Sequence, residues 1–233
     1  MASMGKQGIG AAVAGGRPVV IGLCGGIASG KSSVREALSL LGAATIDADK
    51  LGHSLYTPGS ETAAAVGAAF GVATEDGGVD RAALGPIVFG DPAEMKRLTD
   101  IVWPKLREKT HAAVEQAAAA ASAAAGEKGE GGAYPVTVVE AAILLEAGWE
   151  DEFDEVWVVS VPREVACARL MERNSLDQDA ANSRIDAQMG NDQRLTHADR
   201  VIDNSGGRDD LQANVRSVWD ALQADVAQSQ ATS

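Results

Sequence analysis

Near the start of the chain, a short apolar run leads directly into a glycine-rich loop and then a helix. The run at 19–24 predicts a buried strand, and the apolar spacing after Ser32 predicts a helix. Between them, Gly25-x4-Gly30-Lys31-Ser32 fits the Walker A pattern, in the strand–loop–helix context that the pattern requires. This segment restricts the chain to an α/β fold with a phosphate-binding loop.

The residue types in this loop suit it to hold the phosphates of a nucleoside triphosphate. Glycines let backbone N–H groups face phosphate oxygens, the helix N-terminus adds its dipole, and Lys31 adds a charge. Ser32 offers a hydroxyl ligand to Mg²⁺. We therefore predict that the nucleotide is bound by Gly25, Gly26, Ile27, Ala28, Ser29, Gly30, Lys31, Ser32 and Ser33.

Further apolar runs alternate with helical patterns along the rest of the chain. Strands are predicted at 44–46, 136–139, 156–161 and 200–202. Helices are predicted at 61–70, 80–89, 92–125, 163–173, 177–190 and 208–226. Alternating strands and helices form a parallel β-sheet flanked by helices. GTPases, motor ATPases and small-molecule kinases all combine such a sheet with a Walker A loop. Among these we predict the P-loop kinase fold, with a helical substrate-binding insertion and a lid.

The same patterns predict how the chain is organised. Residues 1–17 are expected to be a disordered leader, and Met1 ahead of it favours a stand-alone enzyme. A kinase domain is expected over 18–226, and a flexible tail over 227–233. Within the domain we expect a helical substrate region at about 52–115, a lid at about 166–196 and, at 117–133, a low-complexity surface insertion.

The charge balance limits the classes of partner. With 20 Lys and Arg against 33 Asp and Glu, the chain carries a formal net charge of −13, so we expect no nucleic-acid partner and no membrane-surface partner. No apolar stretch is long enough to predict a membrane span. Two cysteines are too few for a disulfide framework and favour a reducing compartment. We expect a cytoplasmic monomer.

Two aspartates follow the second predicted strand. The carboxyl ends of parallel strands line one crevice, so a carboxylate here faces the γ-phosphate site. We assign Asp49 to chemistry, either accepting the proton of an attacking hydroxyl or holding Mg²⁺ through water, and expect Asp47 to cap the following helix. The DxxG match at 49–52 lies too close to Lys31 for a GTPase switch, and no Asn-Lys-x-Asp motif occurs.

Every fixed positive charge beyond Lys128 is an arginine, the residue best suited to gripping phosphate. Arg169 and Arg173 lie four residues apart on one predicted helix face, where P-loop kinases carry a lid, and we assign a catalytic role to Arg173. Most of the other arginines are expected to form surface ion pairs.

Two further polar residues follow predicted strands. Asn204 follows the last strand and is expected to meet the adenine edge, while Glu146 follows the third strand.

Seven segments together resemble one family. LCGGIASGKSSV, TIDADKLGH, TPG, VDRAALGPIVFG, VWPKL, AAILLEAGW and RVIDN occur in the order and at about the spacing seen in dephospho-coenzyme A kinases, with the eukaryotic-type members looking most similar. The resemblance spans about 19–225. It implies transfer of the ATP γ-phosphate, with Mg²⁺, to the ribose 3′-hydroxyl of dephospho-CoA, the last step of coenzyme A synthesis.

The resemblance also implies roles for individual residues. It places the base at Asp49, a substrate-binding arginine at Arg81 and the lid arginine at Arg173. The family's acceptor-binding Leu-Leu-Glu falls on Leu144, Leu145 and Glu146. Bacterial members usually show His-Pro where this chain has Trp103-Pro104, so no role of that histidine is transferred.

Two alternatives stay open from the residues alone. Another P-loop nucleoside or nucleotide kinase would carry the same loop and lid. A nucleotide-binding regulator without turnover would share the loop, although retention of both Lys31 and Asp49 argues against it.

Overall fold

The computed structural model describes residues 8–125 and 134–232 and has a five-stranded sheet at its centre. Each strand ends within two residues of its predicted boundary, because a continuous apolar run is typical of a strand buried on both faces. The strands are β1 (Val19–Gly25), β2 (Ala44–Asp47), β3 (Val136–Glu140), β4 (Glu155–Ser160) and β5 (Arg200–Asp203).

The sheet order is β2-β3-β1-β4-β5, with β1 in the middle. β1 pairs in parallel with β3 and β4, and β4 pairs in parallel with β5. At the centre of the register, Ile21 lies opposite Val138 on one side and Glu155 on the other. The predicted parallel α/β sheet is confirmed, and the phosphate loop leaves it from the carboxyl end of its central strand.

Helices connect the strands close to the predicted positions. The predicted helix at 177–190 ends early, at Asp186, and a separate short helix begins at Asn191 after the extended Gly190. The helices are α1 (Gly8–Ala14), α2 (Lys31–Leu40), α3 (Ala48–Ser54), α4 (Glu61–Phe70), α5 (Arg81–Phe89), α6 (Pro92–Ala125), α7 (Arg163–Asn174), α8 (Gln178–Asp186), α9 (Asn191–Leu195) and α10 (Arg208–Ala231).

The main apolar core packs helices against one face of the sheet. Trp157 of β4 is fully buried, and Trp219 and Leu222 on the inner face of α10 join the same cluster. Aromatic residues bury large areas of apolar surface, so two tryptophans offset the low aromatic content of the chain. This core fixes the strands whose carboxyl ends carry the candidate site.

The leader prediction is wrong for residues 8–14. These residues form α1, in which Ala12 and Val13 are buried in the main core against α10. Arg17 anchors the segment through a two-pronged ion pair with the buried Asp154, both N–O distances being 2.7 Å. An Ala- and Gly-rich sequence carries a weak helical signal, and tertiary packing supplies the rest. Residues 1–7 lie outside the described part of the chain.

The predicted flexible tail is also wrong for residues 227–231, because α10 continues to Ala231. The low-complexity insertion begins as predicted with helix, since α6 extends to Ala125, while residues 126–133 lie outside the described range. Within the described residues, no helix is long and apolar enough to cross a membrane.

Contacts divide the chain into two compact units. One contains residues 1–46 and 116–233, with the sheet and the phosphate loop; the other contains residues 47–115. The second unit is helical and close in extent to the expected substrate region at 52–115. Inside it, Gly52 approaches Leu106 of the long helix α6, and Arg97 lies 5.0 Å from the centre of the Phe70 ring.

Candidate active site

The phosphate loop joins Gly25, the last residue of β1, to Lys31, the first residue of α2. Close approaches require both glycines of the motif. A Cβ atom at Gly25 would lie 2.6 Å from the carbonyl oxygen of Val159. At Gly30, φ is +89° and a Cβ atom would collide with the side-chain nitrogen of Asn204. Only glycine combines a left-handed backbone with so little space, so packing as well as turn geometry selects these residues.

The middle of the loop carries an unusual backbone and an unsatisfied hydroxyl. Ala28 has φ +59°, a left-handed conformation that non-glycine residues seldom adopt. Ser29 is 1% exposed, and within the described part of the chain its Oγ has no hydrogen-bond partner. Buried polar atoms are normally paired, and strained residues cluster at ligand sites. Both features fit a loop shaped to receive a polar ligand.

Lys31 lies back along the loop. Its Nζ donates to the carbonyl oxygens of Gly25 at 3.0 Å and Gly26 at 3.2 Å. The ammonium group is therefore held at the mouth of the loop, where a point charge attracts the terminal phosphates of a nucleotide.

Glu140 at the end of β3 is a site residue that the sequence analysis missed. It is 5% exposed, and its Oε1 accepts a hydrogen bond from the Ser32 hydroxyl at 3.3 Å. Its Oε2 accepts from Arg35 Nε of α2 at 2.6 Å. The signal was present, because Glu140 is an acidic residue at the end of a strand, as Asp47 is, but β3 was predicted to stop one residue earlier.

These residues fit a magnesium ion bound together with nucleotide phosphates. Among the described residues, no cluster of three or more His, Cys, Asp or Glu side chains could hold a metal alone. Mg²⁺ in kinase sites takes only one or two protein ligands and completes its shell with phosphates and water. The Ser32 hydroxyl, oriented by Glu140, is the kind of oxygen donor that this requires.

The two aspartates after β2 have separate positions. Asp47 caps α3: its side chain accepts a hydrogen bond from the Lys50 backbone N–H at 3.0 Å. Asp49 lies in the first turn of α3 and is exposed. The structure thus gives Asp47 the capping role expected of it, whereas the chemical role of Asp49 stays a prediction.

Asn204 packs against the phosphate loop and lines the cleft beside Gly30, so its expected contact with adenine stays a prediction. It is 6% exposed, and its Nδ2 donates to the carbonyl oxygen of Ser29 at 2.7 Å. The backbone carbonyl oxygen of Asn204 accepts a hydrogen bond from Arg169 Nη2 at 2.9 Å. Because its side-chain amide donates a hydrogen bond to the phosphate loop, Asn204 supports the loop in this structure.

Two clefts flank the phosphate loop within the sheet-containing unit. One, of about 580 Å³, lies between Gly30, Asn204, Arg169 and the start of α10. The other, of about 600 Å³, lies between the loop, the end of β4 and the α8–α9 connection. In that connection, Gln188 Oε1 accepts from the Ile27 backbone N–H at 2.8 Å, so the predicted lid contacts the loop.

The Leu-Leu-Glu segment after β3 provides one polar group and two core residues. Leu144 is fully buried against Gly22 and Phe153, and Leu145 is 7% exposed. Their side chains pack in the core, and an acceptor-contacting role for these two residues stays a prediction. Glu146 is 31% exposed and forms an ion pair with Arg194 at 2.6 Å.

Arg194 is a second residue that the sequence analysis missed. It lies in the short helix α9 with its side chain 2% exposed and lines the 600 Å³ cleft. In sequence it is one arginine among eight beyond Lys128, and no spacing distinguishes it from those that form surface ion pairs.

Arg173 lies apart from the two clefts. It is exposed near the end of α7, and its Nε donates to Asn174 Oδ1 at 3.0 Å. Neither cleft beside the phosphate loop includes it among its lining residues. A role at the transferring phosphoryl group therefore requires movement of this part of the predicted lid.

Arg81 belongs to a groove of the helical unit. It begins α5 after the Asp80 cap, and its Nη2 lies 3.2 Å from His53 Nε2. A shallow groove of about 510 Å³ includes both residues together with Tyr56. His53, assigned no role from the sequence, is thus a neighbour of the predicted substrate-binding arginine.

Sequence comparisons find close relatives over most of the chain. The profile of a protein family described as Dephospho-CoA kinase matches residues 19–210. A Dephospho-CoA kinase of Symbiobacterium thermophilum is 42% identical over 204 residues, covering 87% of this chain and 80% of the relative. One of Geobacter sulfurreducens is 41% identical over 202 residues, covering 86% of this chain and 96% of the relative.

Solved structures show a similar fold. A Thermus thermophilus crystal structure superimposes with a TM-score of 0.70 at 28% identity, covering 88% of this chain and 98% of the other. A Dephospho-CoA kinase from Campylobacter jejuni superimposes with a TM-score of 0.55 at 24% identity, covering 87% and 96%. These relatives and structures are bacterial, whereas the resemblance inferred from the motifs was to eukaryotic-type members.

Proposed function

The chain belongs to the dephospho-CoA kinase family, and we propose how its residues carry out that reaction. The enzyme transfers the γ-phosphoryl group of ATP to the ribose 3′-hydroxyl of dephospho-CoA, which gives coenzyme A and ADP in the final step of coenzyme A synthesis. The observation that carries the assignment of ATP to this site is the Walker A loop at the carboxyl end of the central strand.

The phosphate loop holds the triphosphate of ATP. Backbone N–H groups of residues 25–33 and the N-terminus of α2 face the phosphates, and Lys31 at the loop mouth balances their charge. The cleft beside Gly30 and Arg169 receives the adenosine, because it borders the same loop and has room for it. Asn204 keeps the loop in shape for both.

Ser32 and Glu140 form the protein side of the magnesium site. The Ser32 hydroxyl would hold the ion, and Glu140 would orient that hydroxyl through their hydrogen bond. When bound, Mg²⁺ neutralises charge on the β- and γ-phosphates. Arg35 fixes the other oxygen of Glu140 and so limits the rotation of the carboxylate.

Asp49 acts as the base. Its carboxylate accepts the proton of the 3′-hydroxyl while that oxygen attacks the γ-phosphorus in line, and the bond from the γ-phosphorus to the bridging oxygen breaks to release ADP. Its position directly after β2 supports this role, since β2 belongs to the same sheet as the phosphate loop. Most of the rate enhancement comes from positioning and electrostatics.

The helical unit supplies acceptor contacts. Arg81 and His53 line its groove, and dephospho-CoA carries a pyrophosphate that an arginine can grip with two hydrogen bonds. The segment at about 166–196 serves as a lid that excludes water, which would otherwise hydrolyse ATP. Arg173 reaches the transferring phosphoryl group when the lid closes.

The enzyme works as a monomer in the cytoplasm, without nucleic-acid or membrane partners. Both cysteines are unpaired thiols, as a reducing compartment favours. The net charge of −13 opposes binding to polyanions, so anionic substrates depend on the local cations of the site.

An acceptor assay tests the proposed function. Purified protein with Mg²⁺ and ATP is mixed with dephospho-CoA, AMP, uridine or gluconate, and ADP release is measured. Coenzyme A serves as the matched control, because its 3′-hydroxyl is already phosphorylated. We expect rapid ADP release only when dephospho-CoA is the acceptor. Faster release with AMP, uridine or gluconate would identify another P-loop kinase, and no release with any acceptor would identify a nucleotide-binding regulator.

A further inference from the structure

Arg194 is a charged side chain in a buried position. Its side chain is 2% exposed, although it lies in the short helix α9 of the predicted lid. A buried cation costs free energy unless it is paired and hydrogen-bonded. The hydrogen-bond partners of its nitrogen atoms therefore indicate the role of this side chain.

The guanidinium group of Arg194 has unused hydrogen-bonding capacity. It carries five N–H donors. Nη1 donates to the Met189 carbonyl oxygen, and Nη2 pairs with Glu146 Oε1 at 2.6 Å. Within the described residues, Nε is buried without a hydrogen-bond partner. A buried unsatisfied donor on a charged group is costly, so such a group calls for a ligand.

The guanidinium lies directly beside the phosphate loop. A Cβ atom on Gly26 would be 3.4 Å from Nη1, and Arg194 lines the same cleft as Gly26 and Ser29. Both Arg194 and Lys31 act electrostatically on the thiol of Cys24, just before the loop, although burial dominates and raises the pKa of that thiol to about 11. Lys31 Nζ donates to the carbonyl oxygen of Gly26, so both cations lie beside the same residue of the loop.

We propose that Arg194 contacts the γ-phosphate of ATP and that Glu146 is the positioning residue that holds it in place. This inference rests on the proposed binding of ATP at the loop and deepens it. Nε and the remaining N–H donors take γ-phosphate oxygens, while the Glu146 carboxylate keeps the guanidinium plane fixed on its other side. Glu146 then acts through Arg194, not through the acceptor.

Arg194 is expected to affect the binding of ATP and of ADP differently. ADP lacks the γ-phosphate, so it gains nothing from Arg194, whereas Lys31 and the loop amides still hold the α- and β-phosphates. Loss of Arg194 should therefore weaken ATP binding much more than ADP binding. A purely structural role for Arg194 would weaken both nucleotides together.

Isothermal titration of ATP and ADP, each with Mg²⁺ and without acceptor, tests the proposal. For Arg194→Met we expect the Kd of ATP to rise at least about tenfold, the loss of a charge-assisted hydrogen bond, while the Kd of ADP changes less than twofold. Glu146→Gln should raise the Kd of ATP about threefold and leave the Kd of ADP unchanged. Arg216→Met, an exposed arginine on α10, is the matched control and should change neither.

Equal losses for both nucleotides, or no loss, would overturn the proposal. If Arg194→Met fails to fold, as judged by circular dichroism, Arg194→Lys decides: it keeps the charge but loses the planar set of donors. It should lower the preference for ATP over ADP at least threefold, and an unchanged preference would also overturn the proposal. Because no acceptor is present, failure of the dephospho-CoA assignment would leave this result unaffected and would show only in the acceptor assay.

Discussion

Asp47 and Asp49 are two identical side chains, two positions apart, for which we propose different roles. Asp47 is occupied as the cap of α3, with its carboxylate on the Lys50 N–H. Asp49 lies in the first turn of the same helix, is exposed, and has the proposed role of base. Asparagine caps helices about as well as aspartate but cannot accept a proton as a base. The same substitution therefore separates the two roles.

We expect Asp49→Asn to lower kcat by at least about a hundredfold, the low end of the range for acid–base catalysis, with ATP still bound. Asp47→Asn is the control and should keep near-normal kcat, because the cap survives. Steady-state ADP release and ATP titration measure both effects. Near-normal turnover in Asp49→Asn would remove Asp49 from the mechanism.

Asn204 tests whether an amide supports the loop or reads the base. Loss of its hydrogen bond to Ser29 is worth about 0.5–1.5 kcal/mol, so Asn204→Ala should raise the KM of ATP about three- to tenfold. Because the damage is to the loop, the KM of GTP should rise by the same factor. Asn214→Ala, which removes an exposed amide hydrogen bond to the Asp203 carbonyl, should change neither KM. A change in the ratio of the two KM values would instead restore the adenine-reading role.

The helix α1 is an element that the sequence did not predict. Val13 is 9% exposed in the main core. Val13→Asp places a carboxylate there and should lower the free energy of unfolding by about 1–3 kcal/mol, or several degrees in Tm. Ala11→Asp, on the exposed side of the same helix, is the control and should melt like the wild type. Identical melting of both variants would mean that the segment is not docked.

The elements that were predictable had strong local signals. β1, the phosphate loop and α2 follow from an apolar run, two glycines and a helical pattern, and β3–β5 follow from valine-rich runs. α1 was not predictable, because its stability comes from contacts with α10 rather than from its own composition.

The same distinction applies to the site. Lys31, Ser32 and Asp47 lie next to the pattern that predicted them, so sequence spacing was sufficient. Arg194 and Glu146 are separated by 48 residues and meet only through the fold. Glu140 could have been found, since an acidic residue at the end of a buried strand is the signal that identified Asp49.

Across the whole molecule, an acidic protein binds two anionic substrates through a few local cations. The net charge of −13 gives no general attraction for ATP or dephospho-CoA. We therefore expect binding to depend on local cations, for which the proposed positions are Lys31 and Arg194 beside the phosphate loop and Arg81 in the helical unit. The central claim is that the loop holds the triphosphate while Asp49 meets the hydroxyl that attacks it.

A crystal structure with a non-hydrolysable ATP analogue, Mg²⁺ and dephospho-CoA tests this claim most directly. We expect the triphosphate on the backbone amides of residues 25–33 and a carboxylate oxygen of Asp49 about 3 Å from the ribose 3′-oxygen. A triphosphate bound elsewhere, or an Asp49 carboxylate turned to solvent while another base meets the 3′-hydroxyl, would contradict it.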